Sequence, residues 1–180
     1  MTDDFTRLAQ TLSAEGVAVV RTDTIYGIIA LSSSKSAVEK VYRVKHRDPR
    51  KQCIVLIADT SSIPEYAEYV AAHSKPEMRP TSVVVPASNE PEWLLRGGSS
   101  IAYRVVRDPF LKRVVKAVGP IIAPSANPEG LVPARTIVEA KEYFGDSVDC
   151  YIDGGEVPAE VPASRIVEVY RDGTVAIIRA

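Results

Sequence analysis

The sequence predicts an α/β fold: a single domain over residues 1–180 with a twisted, mixed β-sheet flanked by helices. Short apolar, β-branched runs alternate with segments whose apolar residues recur at helical spacing. Near the C-terminus, two β-rich runs flank Arg171-Asp172-Gly173, a hairpin signal that adds an antiparallel pair to the sheet. A length of 180 residues suits one domain, and no stretch has the composition of a linker.

In the first half of the chain, three helices are predicted. The first covers residues 5–14 and ends before Gly16. The second is capped by Ser34 and ends near residue 47, because Pro49 disfavours helical backbone at Asp48. The third begins at Pro64 and runs to residue 72. The strands predicted here cover residues 16–21, 28–32 and 53–58.

The second half of the chain continues the alternation. Asp108-Pro109 begins a helix that Gly119 ends, since an N-cap followed by proline is a strong helix start. Thr136 and Glu139 form a capping box, and the helix that follows ends at Gly145. The predicted strands cover residues 81–86, 99–106, 120–125, 149–152, 164–170 and 174–179.

Composition narrows the functional classes. The net charge of −1 argues against broad, nonspecific binding to nucleic acid, which needs an excess of Lys and Arg. The longest apolar run, residues 53–58, is far shorter than the ~20 residues that cross a bilayer. Residues 1–4 are acidic and lack a secretory leader. We therefore expect a cytoplasmic protein without a membrane partner.

The two cysteines, Cys53 and Cys150, lie in predicted strands and are expected to be buried, reduced thiols. The two histidines, His46 and His73, do not combine with them into the ligand spacing of a zinc site. The sequence therefore predicts no metal-ligating residues.

A basic loop follows the second helix, with only Asp48 opposing its charge. Cations favour a helix C-terminus, so a solvated cluster is one explanation. The other explanation is that Lys45 and Arg47 both bind phosphate oxygens. Lysine supplies a compact charge, and arginine supplies a planar guanidinium that can form two parallel hydrogen bonds. No core role is evident for the charge of Lys45. The five cations are Arg43, Lys45, Arg47, Arg50 and Lys51.

Polar side chains also follow other strands. Ser125-Ala126-Asn127 ends an Ile-rich strand and is either a turn or a pair of groups that face phosphate or ribose. Residues 22–27 contain hydroxyls, a carboxylate and a phenol. They form either a plain β-turn or a loop that closes around a small polar ligand. Arg104 lies inside a strand, where it faces a carboxylate ligand, an acidic neighbour or solvent.

In order and spacing, these segments resemble the YrdC-like domain family, whose members include threonylcarbamoyl-adenylate synthases. The resemblance covers roughly residues 14–179. The matching segments are Thr22-Asp23-Thr24-Ile25-Tyr26-Gly27, Lys45-x-Arg47, Pro80-Thr81-Ser82, Ala102-Tyr103-Arg104-Val105, Ser125-Ala126-Asn127, Arg135-Thr136, Asp153-Gly154-Gly155 and Ser164-Arg165-Ile166-Val167.

The resemblance implies a YrdC-like sheet with a concave cationic cleft. It also implies an enzyme, a nucleotidyltransferase that forms threonylcarbamoyl-AMP and pyrophosphate from L-threonine, bicarbonate or CO2, and ATP. The product would serve the threonylcarbamoyladenosine modification of tRNA, so tRNA and downstream modification proteins are implied partners. Mg²⁺ would arrive with ATP, held mainly by phosphate oxygens and water.

The resemblance also implies roles for individual residues, with Lys45 and Arg47 as the catalytic pair that stabilises charge on the leaving pyrophosphate. Threonine would contact Thr24, Tyr26 and Arg104, with Arg104 paired to its carboxylate. ATP would contact Lys45, Arg47, Ser82, Ser125, Asn127, Arg135 and Ser164.

The chain departs from the family pattern in several places. Gln52 and Cys53 stand where the family has Pro and Leu, and Ser82 where it has Thr. Glu129 stands where the family commonly has Ser and would repel ATP unless it points away or helps to bind metal. Two alternatives therefore stay open: a noncatalytic RNA-binding module that uses the basic loop, and a divergent paralogue with another substrate.

Overall fold

The structure, a computed structural model, describes residues 3–87 and 89–180. Within this part of the chain, nine strands form one sheet. The strands are β1 (Ala18–Arg21), β2 (Tyr26–Leu31), β3 (Ile54–Ile57), β4 (Thr81–Pro86), β5 (Ser100–Val105), β6 (Ile121–Ile122), β7 (Cys150–Tyr151), β8 (Arg165–Val169) and β9 (Val175–Arg179). The α-helices are α1 (Asp4–Ser13), α2 (Lys35–Lys45), α3 (Ala67–Ala72), α4 (Glu92–Leu95), α5 (Pro109–Val118) and α6 (Ile137–Phe144).

The sheet is mixed, as predicted, with the strand order β7-β1-β2-β6-β3-β5-β4-β8-β9. The pairs β1–β7, β3–β5 and β4–β8 are parallel. The other neighbours, including the predicted β8–β9 hairpin, are antiparallel. The predicted fold class is therefore confirmed. The single domain over residues 1–180 stays a prediction.

Local chemistry sets the helix ends where the sequence predicted them. The Ser34 hydroxyl accepts a hydrogen bond from the backbone N–H of Ala37 at 3.2 Å. The Asp108 carboxylate accepts from Leu111 N at 2.7 Å, and the Thr136 hydroxyl from Glu139 N at 3.2 Å. Each bond satisfies a backbone donor that the first helical turn leaves free.

Strand ends differ from the prediction by one or two residues, as in β2, which begins at Tyr26 rather than at residue 28, and three elements differ by more than that. Strand β6 covers only Ile121–Ile122 rather than residues 120–125. Beyond Ile122 only isolated contacts continue the pairing with β2: Ile28 N donates to the carbonyl of Pro124 at 3.0 Å, and Gly27 forms a bridge with Ser125. Pro124 has no N–H to donate, so the regular strand ends before it. The helix predicted from Pro64 to residue 72 begins as a separate 3₁₀ turn, Pro64–Tyr66, before α3. The short helix α4 was not predicted.

The sheet separates two hydrophobic layers. Ile28 and Ile29 are adjacent on β2 and point to opposite faces. Ile29 packs in the layer that contains Leu8 of α1 and Leu111 of α5. Ile28 packs in the layer that contains Val38 of α2 and Phe144 of α6, among others. The structure is thus a sheet between two helical layers.

Both cysteines are free and buried, which confirms the prediction of buried, reduced thiols. Burial raises the pKa of the Cys53 thiol above its usual range. None of the helices in residues 3–87 and 89–180 has the length and apolar character needed to cross a membrane.

We expect Ile29→Ala to lower the free energy of unfolding by about 2–5 kcal/mol, because the fully buried side chain leaves a cavity between β2, α1 and α5. Urea unfolding measures the change. The matched control is Ile178→Ala on β9, where the side chain is 58% exposed and the change should be within about 0.5 kcal/mol. Equal losses at the two positions would contradict the assigned core.

Candidate functional site

A cavity of about 290 Å³ brings six of the ten predicted site residues into one wall. Its wall residue Arg104 points to the face of the sheet that α1 and α5 cover, because its neighbours on β5, Tyr103 and Val105, pack in the opposite layer. The six predicted residues in the wall are Thr24, Tyr26, Arg47, Arg104, Ser125 and Ser164. Five separate segments of the chain therefore meet at one place, and the roles predicted for these residues stay predictions.

A second cavity, of about 550 Å³, is larger but includes none of the ten predicted residues in its wall. The two cavities meet at Thr22, which lines both. Carboxylates of the larger cavity have structural partners: Asp108 caps α5, and Asp153 accepts from the N–H of Gly155 at 2.9 Å. We therefore take the smaller cavity as the candidate site.

Lys45 is a structural cation beneath the candidate site. The residue is only 2% exposed, and its ammonium donates hydrogen bonds to the backbone carbonyls of Ser125 and Asn127. Burial, followed by the neighbouring charge of Arg47, lowers the pKa of Lys45 to about 8. The expectation that its charge has no core role was wrong, because the charge holds the Ser125–Asn127 loop in place.

The Ser125-Ala126-Asn127 triplet presents only part of its polar chemistry to the cavity. The Ser125 hydroxyl lies in the wall and donates to Asn127 Oδ1 at 2.6 Å. The Asn127 amide nitrogen donates to the carbonyls of Pro128 at 2.9 Å and Leu131 at 2.7 Å. The Asn127 side chain is therefore bonded within its own loop and positions Ser125. Its direct contact with ATP stays a prediction.

Arg47 reaches the cavity from the basic loop after α2. Its Nε donates to the carbonyl of Lys51 at 3.2 Å, and its Nη2 to the carbonyl of Gln52 at 2.8 Å. These bonds fix the guanidinium against its own loop while it lines the cavity. The other donors of its five-donor fork remain for an anionic ligand.

Arg104 is a buried cation with few partners. Its side chain is 5% exposed, and Nη2 is 3.4 Å from the Thr22 hydroxyl. Its Nε is 3.8 Å from Asp23 Oδ2, and neither of these two buried atoms makes a hydrogen bond among the described residues. Burial lowers the pKa of Arg104, and the charge of Asp23 opposes that shift. The guanidinium thus lines the cavity with donors that a ligand carboxylate fits.

Arg179, at the end of β9, also lines the cavity and was missed in the sequence. Its Nε donates to the carbonyl of Ser164 at 2.8 Å, and its Nη2 to the Ser164 hydroxyl at 3.2 Å. The β8–β9 register places it opposite Ile166, another wall residue. The only signal in the sequence was a lone cation at the end of an apolar strand, which does not indicate a site by itself.

Ser82 and Arg135 lie outside the wall. Ser82 is fully buried, with its hydroxyl 3.1 Å from that of Ser164, so it supports Ser164 from behind. Arg135 Nε donates to the carbonyl of Val157 at 2.9 Å, and its Nη2 pairs with Glu156 at 3.0 Å. The structure does not bring these two side chains into the cavity, and their contact with nucleotide stays a prediction.

Thr24 and Tyr26 both line the cavity, but their hydroxyls differ in availability. Thr24 Oγ1 has only a 3.4 Å contact with the Thr22 hydroxyl. The Tyr26 hydroxyl donates to the carbonyl of Gly155 at 2.9 Å and accepts from Gly154 N at 3.0 Å, and burial raises its pKa. Tyr26 therefore anchors the Asp153–Gly155 loop, and Thr24 is the more available hydroxyl for a ligand.

The wall combines three arginines with hydroxyls, and none of its described residues is a carboxylate. Such a surface suits a ligand that carries carboxylate or phosphate groups. The fold and the site together define an α/β domain with a cavity lined by arginines and hydroxyls.

Comparison with known proteins gives the family. Residues 10–180 match the model of the Sua5/YciO/YrdC family, whose description is "Telomere recombination". The chain belongs to this family.

Curated relatives agree with this assignment. Threonylcarbamoyl-AMP synthase of Marinobacter nauticus is 31% identical over 170 residues, which cover 89% of this chain and 88% of the relative. Threonylcarbamoyl-AMP synthase of Photorhabdus laumondii is 29% identical, with 94% of this chain and 96% of the relative covered.

Solved structures share the fold. Sua5 of P. abyssi in complex with L-threonine has a TM-score of 0.83 and 25% identity. The match covers 96% of this chain but 52% of that protein, so this chain spans about half its length. YciO of E. coli, with a TM-score of 0.82 and 19% identity, supports the fold alone.

The lowered pKa of Lys45 gives a testable dependence of stability on pH. Between pH 8 and 10 the unfolded chain keeps the Lys45 proton while the folded chain releases it, since the ordinary pKa is 10.5 and the folded pKa about 8. The unfolding free energy of the wild type minus that of Lys45→Met should therefore rise by about 1 kcal/mol per pH unit in this window.

Urea unfolding at several pH values measures this difference. The matched control is Arg43→Met on the exposed face of α2, for which the difference should not vary over the same pH window. If the unfolding free energy of the wild type minus that of Lys45→Met stayed constant or fell from pH 8 to 10, the Lys45 ammonium would have an ordinary pKa.

Proposed function

We propose that this protein is a threonylcarbamoyl-AMP synthase. It would be a nucleotidyltransferase that converts L-threonine, bicarbonate or CO2, and ATP into threonylcarbamoyl-AMP and pyrophosphate. The observation that carries the proposal is the cavity whose wall combines Arg104 with Arg47 and Ser125. The relatives named threonylcarbamoyl-AMP synthase and the Sua5 complex with L-threonine support it.

The amino-acid end of the substrate would lie at Arg104. A threonine carboxylate would take the guanidinium donors that Thr22 and Asp23 leave open. Thr24 lies in the same wall, and its hydroxyl would bond the polar end of the amino acid. Arg179 and Ser164 form the adjacent part of the wall and add a second cation.

The triphosphate would lie at Arg47 and Ser125. The free donors of the Arg47 fork would bind phosphate oxygens, and the Ser125 hydroxyl can turn from Asn127 to a ligand. Lys45 would act mainly through position, since its ammonium holds the carbonyls of Ser125 and Asn127. Its charge would still favour phosphate nearby.

The reaction would proceed in two bond-forming steps. The threonine amine attacks the carbon of bicarbonate or CO2 to give a carbamate, with loss of water in the case of bicarbonate. A carbamate oxygen then attacks the α-phosphorus, a new P–O bond forms, and the bond to the departing pyrophosphate breaks. The protein would contribute position and positive charge at the leaving group, largely through Arg47. The enclosed wall would limit hydrolysis of the carbamate.

Mg²⁺ would enter with ATP as part of the substrate. The charged residues of the cavity wall are arginines, which do not bind cations. We therefore propose that phosphate oxygens and water supply most of its ligands, and that the ion neutralises part of the charge of the triphosphate. The activated product would pass to tRNA modification in the cytoplasm, with tRNA and downstream proteins as partners.

Purified protein with ATP, Mg²⁺ and labelled bicarbonate should release pyrophosphate only when L-threonine is present. Pyrophosphate release, together with label in a threonine- and AMP-containing product, measures the reaction. ATP turnover that ignores threonine would overturn the synthase assignment. Salt-sensitive tRNA binding that survives saturating ATP, without turnover, would favour an RNA-binding module instead.

We expect Arg104→Gln to lower kcat/KM for threonine by about a hundredfold, because a buried charge-assisted bond to the carboxylate, on the order of 3 kcal/mol, is lost. The KM for ATP should change much less. Steady-state kinetics with each substrate varied separates the two effects. The matched control is Arg171→Gln, an exposed arginine of the β8–β9 turn, which should behave as wild type. An equal rise in both KM values would remove Arg104 from the threonine end.

A further inference from the structure

Two loops meet beside the triphosphate end of the cavity. The basic loop comprises residues 45–51, and the serine loop comprises residues 125–131. Backbone and lysine contacts join them: Glu129 N donates to the carbonyl of Lys45 at 2.8 Å, and the Lys45 ammonium donates to the carbonyls of Ser125 and Asn127. These contacts join only the first residue of the basic loop to the serine loop.

The side chain of Glu129 joins the far end of the basic loop. Its Oε2 accepts the backbone N–H of Asp48 at 2.5 Å, and its Oε1 pairs with the Lys51 ammonium. These two bonds, and the charge of nearby Arg47, lower the pKa of the Glu129 carboxyl, so it is ionised at neutral pH. The carboxylate therefore bridges the serine loop to positions 48 and 51.

The span held by Glu129 is the one that orients Arg47. The Arg47 guanidinium is bonded to the carbonyls of Lys51 and Gln52, at the end of the same span. A further turn bond, from Lys51 N to the carbonyl of Asp48 at 3.1 Å, makes residues 48–51 compact. Glu129 thus connects, through this turn, the Arg47 guanidinium with the loop that presents Ser125.

We propose that Glu129 is a positioning residue that locks the basic loop onto the serine loop and so fixes Arg47 relative to Ser125. The proposal rests on the proposed function, since it assigns the lock to the triphosphate end of that site. It also assigns a use to a carboxylate that would otherwise repel ATP. Lys51 offsets the charge of Glu129 in this arrangement.

Positioning and simple repulsion predict opposite effects on ATP. If Glu129 only repels phosphate, its removal frees Lys51 and tightens ATP binding. If Glu129 positions Arg47, its removal weakens ATP binding, because the cation must be ordered when the nucleotide arrives. Threonine binding should respond little in either case, because the side chains of Arg104 and Thr24 make no hydrogen bond with either loop among the described residues.

Two variants distinguish the effect of the charge of Glu129 from the effect of the length of its side chain. Glu129→Gln keeps a side-chain oxygen for the Asp48 N–H but loses the charge that pairs with Lys51. Glu129→Ser is too short to reach either group. We expect the KM for ATP to rise about tenfold in Glu129→Ser and by a smaller factor in Glu129→Gln, with the KM for threonine within about twofold of wild type. The matched control is Glu142→Ser, an exposed glutamate on α6.

Amide hydrogen exchange provides a readout that does not depend on turnover. The Asp48 amide should exchange faster in Glu129→Ser than in wild type, whereas the Ile29 amide in β2 should be unchanged. A lower KM for ATP in Glu129→Ser, or unchanged exchange at Asp48, would overturn the lock even in an active enzyme. Absence of threonine-dependent turnover in the wild type would instead overturn the proposed function, while Asp48 exchange would still decide whether Glu129 holds the loop.

Discussion

The candidate site depends on the burial of one lysine charge. Lys45 ends α2, and its ammonium lies beneath the serine loop against the carbonyls of Ser125 and Asn127. A buried ammonium must be paired with acceptors, and backbone carbonyls supply them here without adding negative charge. The net positive charge is therefore kept beside the cavity. The same contact joins two segments that are distant in the chain, so the conformation of each loop depends on the other.

The other two arginines of the cavity wall also carry charges that the protein compensates only with nearby polar groups. Arg104 and Arg179 are held by hydroxyls, carbonyls and one distant carboxylate, Asp23, so their charge is only partly compensated inside the protein. Buried cations with unused donors are costly unless a ligand completes their coordination. Carboxylate and phosphate are the groups that do so. A net charge of −1 for the whole chain is therefore compatible with the anionic substrate that we propose for this cavity.

Much of the fold was predictable because its signals are local. Ser34, Asp108 and Thr136 cap helices where the sequence placed them, and the turn at residues 171–173 joins the predicted hairpin. The prediction for β6 was too long, because Pro124 has no N–H to donate and the chain beyond Ile122 keeps only isolated contacts with β2. The burial of Lys45 was not predicted, since five neighbouring cations suggested a solvated or phosphate-binding cluster; contact of Lys45 with phosphate stays a prediction. Nothing in the local pattern shows that one of them turns inward.

The sequence alone determined the mixed α/β class, the element order and the motifs at which polar side chains follow apolar strands, because propensity, capping and periodicity act over a few residues. It also placed Arg47, Arg104, Ser125 and Ser164 among the candidate residues. Only the tertiary structure decided which of the candidates share one wall, that Arg179 joins them, and that Asn127 and Tyr26 hold loops. Those outcomes depend on strand register and on the burial of each charge, which contacts between distant segments set.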